Sequence, residues 1–136
     1  KFEDRWVRLL VDPQSPCIFT RGLSRLFLPV RHGEGKFVCD SIGTLEEIRS
    51  GHLAALKYAD DSYVPTMDYP ANPNGAVDAI AGICDATGRI FGLMPHPEAF
   101  IHPTNHPAWT RLRALPEKGE GMAIFQNAVE FLKGII

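Results

Sequence analysis

Cysteine is scarce and scattered in this chain. Its three copies, Cys17, Cys39 and Cys84, form no CxxC pair, so neither a disulfide framework nor a zinc ribbon is indicated, and free thiols in a reducing cytoplasm are the plain reading. Long apolar runs are also missing. The longest, such as Leu26 to Val30 and Ala79 to Cys84, fall far short of the roughly 20 residues that a membrane helix requires, and nothing at the start has the shape of a signal peptide. No excess of positive charge is present: the formal net charge is −2, which leaves no lysine- and arginine-rich face of the kind that binds nucleic acid. Nor does any repeat, low-complexity tract or linker divide the 136 residues, which are 45% apolar and 22% charged and so describe one globular domain with a real core. An initiator methionine is lacking as well. The chain starts at Lys1-Phe2-Glu3-Asp4-Arg5-Trp6 with no lead-in to its first strand-like run, and the expectation is a part of a longer polypeptide.

What is present reads as strands with few helices. Trp6 to Val11 is short, apolar and closed by Asp12-Pro13, a buried strand ended by a turn. Ser24 to Arg31 is a second strand, and Pro29, which has no ladder donor, places it at an edge or at its end. Thr44 to Gly51 has a threonine cap, a glutamate three residues on and a terminal glycine, the pattern of a short helix. Leu53 to Tyr58 reads as a strand. Val77 to Cys84 and Arg89 to Met94, joined by Asp85-Ala86-Thr87-Gly88, predict a β-hairpin. From Gly121 onward, Ile124, Phe125, Ala128, Val129 and Leu132 recur at helical spacing and predict a helix packed on a sheet. The proline-rich stretch from Ala99 to Gly119 is irregular, as functional loops often are.

The segment with chemistry in it is Met94-Pro95-His96-Pro97-Glu98. It follows a predicted strand, so its side chains emerge where open α/β sheets place their ligands. Residues before proline are pushed toward extended conformations. An extended chain puts His96 and Glu98 on one face, about 6–7 Å apart at their backbones. A carboxylate on one ring nitrogen would hold the tautomer and support the imidazolium, leaving the other nitrogen to take a proton from a nucleophile. An exposed proline-rich turn whose two polar side chains simply face water is the plain alternative.

Five strings occur in order: Phe2-Glu3-Asp4-Arg5-Trp6-Val7, Leu28 to Phe37 (Leu-Pro-Val-Arg-His-Gly-Glu-Gly-Lys-Phe), Tyr69 to Gly75 (Tyr-Pro-Ala-Asn-Pro-Asn-Gly), Ile80-Ala81-Gly82-Ile83 and Gly92 to Glu98. Together they resemble the second half of the glutaminase domain or subunit of phosphoribosylformylglycinamidine synthases, a class I (triad) glutamine amidotransferase family. The resemblance implies an α/β fold for residues 1–136, the C-terminal portion of one flavodoxin-like amidotransferase sheet with a β-hairpin and a C-terminal helix. It further implies that His96 and Glu98 serve a cysteine on a glycine-flanked elbow, which attacks glutamine and releases ammonia. The synthetase domain or subunit, using ATP and Mg, would consume that ammonia in de novo purine biosynthesis; this chain itself would hold no cofactor. Its partners would be glutamine, that synthetase and the missing N-terminal half of the domain. None of the three cysteines has the flanking glycines of an elbow, so the chain by itself is expected to be inactive. Beyond Glu98 the pattern departs from the family, with Ala99-Phe100 where many members have arginine next, and nothing is carried over from that stretch.

Four further readings stand beside it. His32-Gly33-Glu34-Gly35 suits a loop close to the glutaminase site, or simply a turn after a strand. Asn72-Pro73-Asn74-Gly75 is a turn, with any ligand role left to its backbone. His96, Glu98, His102 and His106 are a rival constellation that would hold a divalent metal for hydrolysis, although no metal is assigned to this chain. A non-catalytic module that binds the synthetase is the remaining alternative.

Overall fold

The computed structural model describes residues 1–135. Its centre is a five-stranded sheet, antiparallel throughout, made of β1 (Glu3–Val11), β2 (Arg25–His32), β3 (Leu56–Ala59), β4 (Ile80–Cys84) and β5 (Phe91–Leu93) in the order β2-β1-β3-β4-β5. Period-two alternation decides which face is buried. Val7, Leu9 and Val11 point inward, and the register sets Val7 opposite Leu28 and Leu9 opposite Leu26. These pairs, with Leu56, Tyr58 and Ala81, form the main core. Three expected strands start clearly later than their runs do, with β5 beginning at Phe91 and not at Arg89. Leu53 to Ala55 precede β3, and Val77–Ala79 is a 3-10 turn with Asp78 and Ala79 at φ 53° and 56°.

Pro29 does lie on an edge strand, and the register shows why it is tolerated mid-strand. Val11 N–H donates to Ser24 C=O, so by antiparallel alternation Leu26, Leu28 and Val30 turn their backbone groups toward β1, while Phe27 and Pro29 turn theirs outward. The donor that Pro29 lacks is one the ladder never uses. Its carbonyl accepts from His96 N–H at 2.8 Å, and the outward Phe27 N–H donates to Glu120 Oε2 at 2.7 Å.

That bond from His96 forces the sheet to curl. Across a flat five-stranded sheet the two edges would be about 19 Å apart. From Leu93, the last residue of β5, three extended residues and one hydrogen bond reach only about 16 Å. The edges must therefore approach each other, and the residues after β5 cross to the outer side of β2.

The first helix, α1 (Ile42–Ser50), begins earlier than its threonine implied. Ser41 is the cap, its Oγ accepting from Thr44 N–H at 3.1 Å; Thr44 occupies the third helical position, where its own N–H needs that acceptor. The hairpin is as expected: the Asp85 carboxylate gathers the N–H groups of Thr87, Arg89 and Ile90, and these bonds, the Thr87 side chain first, hold its pKa at about 2. Gly88, at φ +70°, lies so close to the Pro16 carbonyl that no Cβ fits.

The second helix, α2 (Met122–Leu132), corrects another expectation. It packs across the 3-10 turn Ile18–Thr20, with Asn127 Nδ2 donating to Phe19 C=O and Arg21 C=O. Ile124 is buried, but Phe125, Val129 and Leu132 are exposed. The apolar spacing was legible; its burial by this chain was not. No helix among the described residues is long and apolar enough to cross a membrane.

Candidate active site

The chain leaves β5 with Met94 N–H bound to Ala81 C=O at 2.9 Å, then crosses to Pro29 through His96 N–H. The extended reading holds only to this point. His96 has φ −103° and ψ 88°, and Pro97–Ala99 forms a 3-10 turn, closed by Ala99 N–H on His96 C=O and Phe100 N–H on Pro97 C=O. Pro97 pre-sets the first turn position, where its missing N–H costs nothing. Glu98 thus reaches the histidine by folding back, not by running alongside it.

The contact itself forms as expected: His96 Nδ1 lies 2.6 Å from Glu98 Oε1. Burial works against the Glu98 anion, but the hydrogen bond from His96, with the nearby charges of His96 and Arg31, outweighs it and holds the carboxyl below its ordinary value. An ionised carboxylate only accepts, so Nδ1 carries the proton and Nε2 is left free. Both side chains are substantially exposed, at 37% and 61%, so the pair contributes little to stability. Its consequence is orientation.

Beneath the pair, Phe100 anchors the turn. It is 2% exposed and meets Trp6 edge-on at 5.2 Å. Gly119 N–H donates to Ile101 C=O and Gly121 N–H to Phe100 C=O. Both glycines are pressed against this turn: a Cβ on Gly121 would stand 2.0 Å from Pro97 O, and one on Gly119 2.3 Å from Phe100 O. Sequence reasoning missed Phe100, Gly119 and Gly121; the Gly119-Glu120-Gly121 pattern ahead of α2 was the available signal.

The His32 loop lies close to the pair. Burial is the main reason the His32 pKa sits below the ordinary histidine value; a charge on His96 pushes the same way, while its own backbone and Glu3 oppose. With the Asn74 amide turned so that its oxygen faces donors, it accepts from His32 Nδ1 at 2.9 Å and from Gly35 N–H at 3.2 Å. His32 Nε2 is buried without a partner. The ring lies flat against Gly35, where any Cβ would meet it at 2.3 Å. Gly33 and Glu34 are exposed. Gly33 lines a cleft of about 410 Å³ with Lys1, Glu3, Lys36, Tyr69, Pro73 and Asn74.

Asn72 to Gly75 is a turn, yet its side chains matter more than its backbone. Asn72 is 1% exposed and clasps Ala76 through both N–H and C=O at 2.9 Å, and Asn74 holds His32. Glu3 is buried opposite His32 in the β1–β2 register and is bound by Arg5, which also donates to Tyr69 Oη at 2.7 Å. Glu3, Arg5 and Tyr69 lie in two of the strings that carry the family resemblance, but nothing local in the sequence marked their contacts.

The rival metal constellation is not assembled. His102 Nδ1 caps its own turn at Thr104, and His106 packs against Trp6, Phe27 and Phe100. Among the described residues no three His, Cys, Asp or Glu side chains are grouped to hold a metal. Proline stiffening splits the loop into separate turns, each satisfying its own histidine. Cys17 and Cys84 are buried together with Ala55 at the hairpin-turn end of the sheet, and burial raises the Cys84 pKa. Cys39 belongs to the packing around Ile48 and Ile80.

Sequence comparison supplies the class: residues 1–132 match the family described as the CobB/CobQ-like glutamine amidotransferase domain, and the chain belongs to that family. Among individual relatives it is 45% identical over 135 residues to the phosphoribosylformylglycinamidine synthase subunit PurQ of Dehalococcoides mccartyi, covering 99% of this chain and 51% of that protein. It is 41% identical over 105 residues to the phosphoribosylformylglycinamidine synthase of Homo sapiens, covering 76% of this chain and 8% of that one. A solved structure of PurLQS from Thermotoga maritima superposes with a TM-score of 0.62 at 24% identity, over 97% of this chain and 49% of that one, a likeness of fold. The chain spans about half the length of the PurQ relatives it matches. The expected family and α/β amidotransferase fold are thereby borne out, with a sheet that is antiparallel over the described residues.

Proposed function

We propose that this chain supplies the proton-transfer pair of a glutaminase that makes ammonia for phosphoribosylformylglycinamidine synthesis, acting on a cysteine from polypeptide outside residues 1–136. The observation that carries this reading is the 2.6 Å contact between His96 Nδ1 and Glu98, which leaves Nε2 free as a base. The thiol proton passes to Nε2 as sulfur attacks the side-chain amide carbon of glutamine. The resulting imidazolium, supported by Glu98, returns that proton to the amide nitrogen as it leaves as ammonia. Water then cleaves the glutamyl thioester, giving glutamate and restoring the thiol. The ammonia goes to a synthetase that uses ATP and Mg, and this chain is the C-terminal half of the glutaminase unit.

The reading is supported by the ordered motifs, the family and the PurQ relatives. The test joins the chain to the N-terminal half of a PurQ relative and measures glutamate and ammonia. His96→Ala is expected to lower turnover by about 10²–10⁴-fold, with Glu98→Gln intermediate. Full activity of His96→Ala in the completed domain, or steady His96-dependent ammonia release by the chain alone, would sink it.

A further inference from the structure

Two of the three cysteines meet in the folded chain. Cys17 precedes the 3-10 turn Ile18–Thr20, in the connection between β1 and β2, and Cys84 is the last residue of β4. Both are buried, at 2% and 5% exposure, in one cluster with Ala55, while Cys39 packs elsewhere around Ile48 and Ile80. Ser15 joins the two: its Oγ accepts from Cys17 N–H at 3.3 Å and lies 3.5 Å from Cys84 Sγ. The backbones that carry them are pinned side by side. Ile18 N–H donates to Gly88 C=O at 3.0 Å, Cys84 N–H donates to Leu53 C=O at 2.9 Å, and Gly88 is pressed against Pro16. Phe19 stacks on Phe91 at 5.6 Å next to the pair. Burial is the main reason the Cys84 pKa is raised; Ser15 opposes it and the neighbouring Cys17 thiol adds to it. A single buried cysteine is adequately explained as a small apolar residue, but two packed together on different segments are a dithiol.

Access to the two is unequal. Cys17 lines a cleft of about 350 Å³ with Asp12, Pro13, Ser15, Thr20 and Arg21, and Cys84 does not. A water molecule needs only about 10–15 Å³ of such space, so an oxidant of similar size enters it. We infer that Cys17 and Cys84 are a peroxide-sensitive dithiol site, in which Cys17 takes the oxidising equivalent and Cys84 behind it closes a disulfide. The Cys17 sulfur attacks one oxygen of hydrogen peroxide as the O–O bond breaks, giving a sulfenic acid, and the departing hydroxide takes the thiol proton to leave as water. The Cys84 sulfur then attacks the Cys17 sulfur; the S–O bond breaks, and hydroxide leaves with the Cys84 proton as a second water. Two thiols are oxidised to one disulfide, and one peroxide is reduced to two waters. The new bond ties the β1–β2 connection to the β4–β5 hairpin that leads to His96. It draws on no glutaminase chemistry and stands apart from that reading.

The test treats the folded chain, and the domain completed by the N-terminal half of a relative, with hydrogen peroxide, blocks remaining thiols by alkylation and maps the peptides. A Cys17–Cys84 linked peptide is expected, lighter than the reduced pair by two hydrogens and reversed by dithiothreitol, with Cys39 outside it. The oxidised chain should melt about 5–15 °C above the reduced one, because the cross-link restricts the unfolded state. Cys84→Ser should stop at a sulfenic acid on Cys17 that dimedone traps, and in Cys17→Ser the oxidation of Cys84 should be at least about tenfold slower. If Cys17 and Cys84 stay unlinked in folded protein, link only after denaturation, or pair with Cys39 instead, the inference is overturned. Trapping of Cys84 in Cys17→Ser as fast as Cys17 is trapped in Cys84→Ser overturns it as well.

Discussion

Gly121→Ala separates tertiary packing from backbone entropy, because the two predict opposite signs. Gly121 sits at the start of α2 with φ −62° and ψ −24°, a conformation that alanine adopts freely. By unfolded-state entropy alone, alanine at a compatible dihedral gains about 0.4–1 kcal/mol over glycine. The added Cβ, however, would stand 2.0 Å from Pro97 O, 2.7 Å from Pro97 C and 2.8 Å from Pro97 Cα, whereas such carbon–oxygen contacts settle near ~3.3–3.6 Å. The atoms obstructing it are backbone, so no rotamer change relieves the clash, and the turn must retreat by roughly 1 Å. Overpacking of that kind costs about 1–3 kcal/mol. Pro97 lies between His96 and Glu98, so the pair moves with it; a displacement of ~1 Å lowers turnover by about 100-fold. The assays are thermal or urea unfolding of the chain and glutamine turnover of the completed domain. A melting temperature equal to or above that of the parent, with turnover unchanged, would refute the packing assigned to this turn.

Three other outcomes are expected. Phe100→Ala empties a site that is 2% exposed against Trp6 and should cost about 3–5 kcal/mol, read by urea unfolding. Asp78 binds Arg49 through Nε and a terminal nitrogen and Lys57 through Nζ at 2.7 Å; the Arg49 bond, above all, holds its pKa below the usual carboxylate value despite burial. Its stabilising contribution is present above the unfolded pKa of about 4 and is lost as pH falls through the lower folded value, a dependence that Asp78→Asn should remove from the pH–stability curve. His32 shifts in the same direction with the opposite effect on charge: its pKa is lowered chiefly by burial, so between the unfolded value of about 6.5 and the folded one the unfolded chain binds more protons. Acidification across that window should destabilise the parent, and His32→Gln should flatten the curve there; an unchanged slope would contradict the burial of this ring.

Local restriction explains most of what could be read early. Pro29 marked an edge strand because a missing donor is tolerated only where no ladder bond is needed, and the register confirms it. The hairpin around Asp85 to Gly88 was legible because its carboxylate and its left-handed glycine act within five residues. The α1 cap was displaced because Ser41 and Thr44 are both capable acceptors, and their local patterns do not decide between them. The face of α2 was misjudged because periodicity records which side is apolar and not which surface is present to cover it.

For the site, the amino-acid order alone determined that His96 and Glu98 are neighbours flanked by prolines, and the ordered motifs determined the family. Only the tertiary structure decided how the pair is held: His96 N–H on Pro29, the turn on Phe100 and Gly121, Asn74 against His32, and Glu3 buried opposite it. Proline and glycine restrict dihedrals over a few residues, whereas these contacts join positions tens of residues apart. The bond from His96 to Pro29 exists only because five strands curl far enough to bring the end of β5 to the outer edge of β2, and no local pattern encodes the sum of those small rotations.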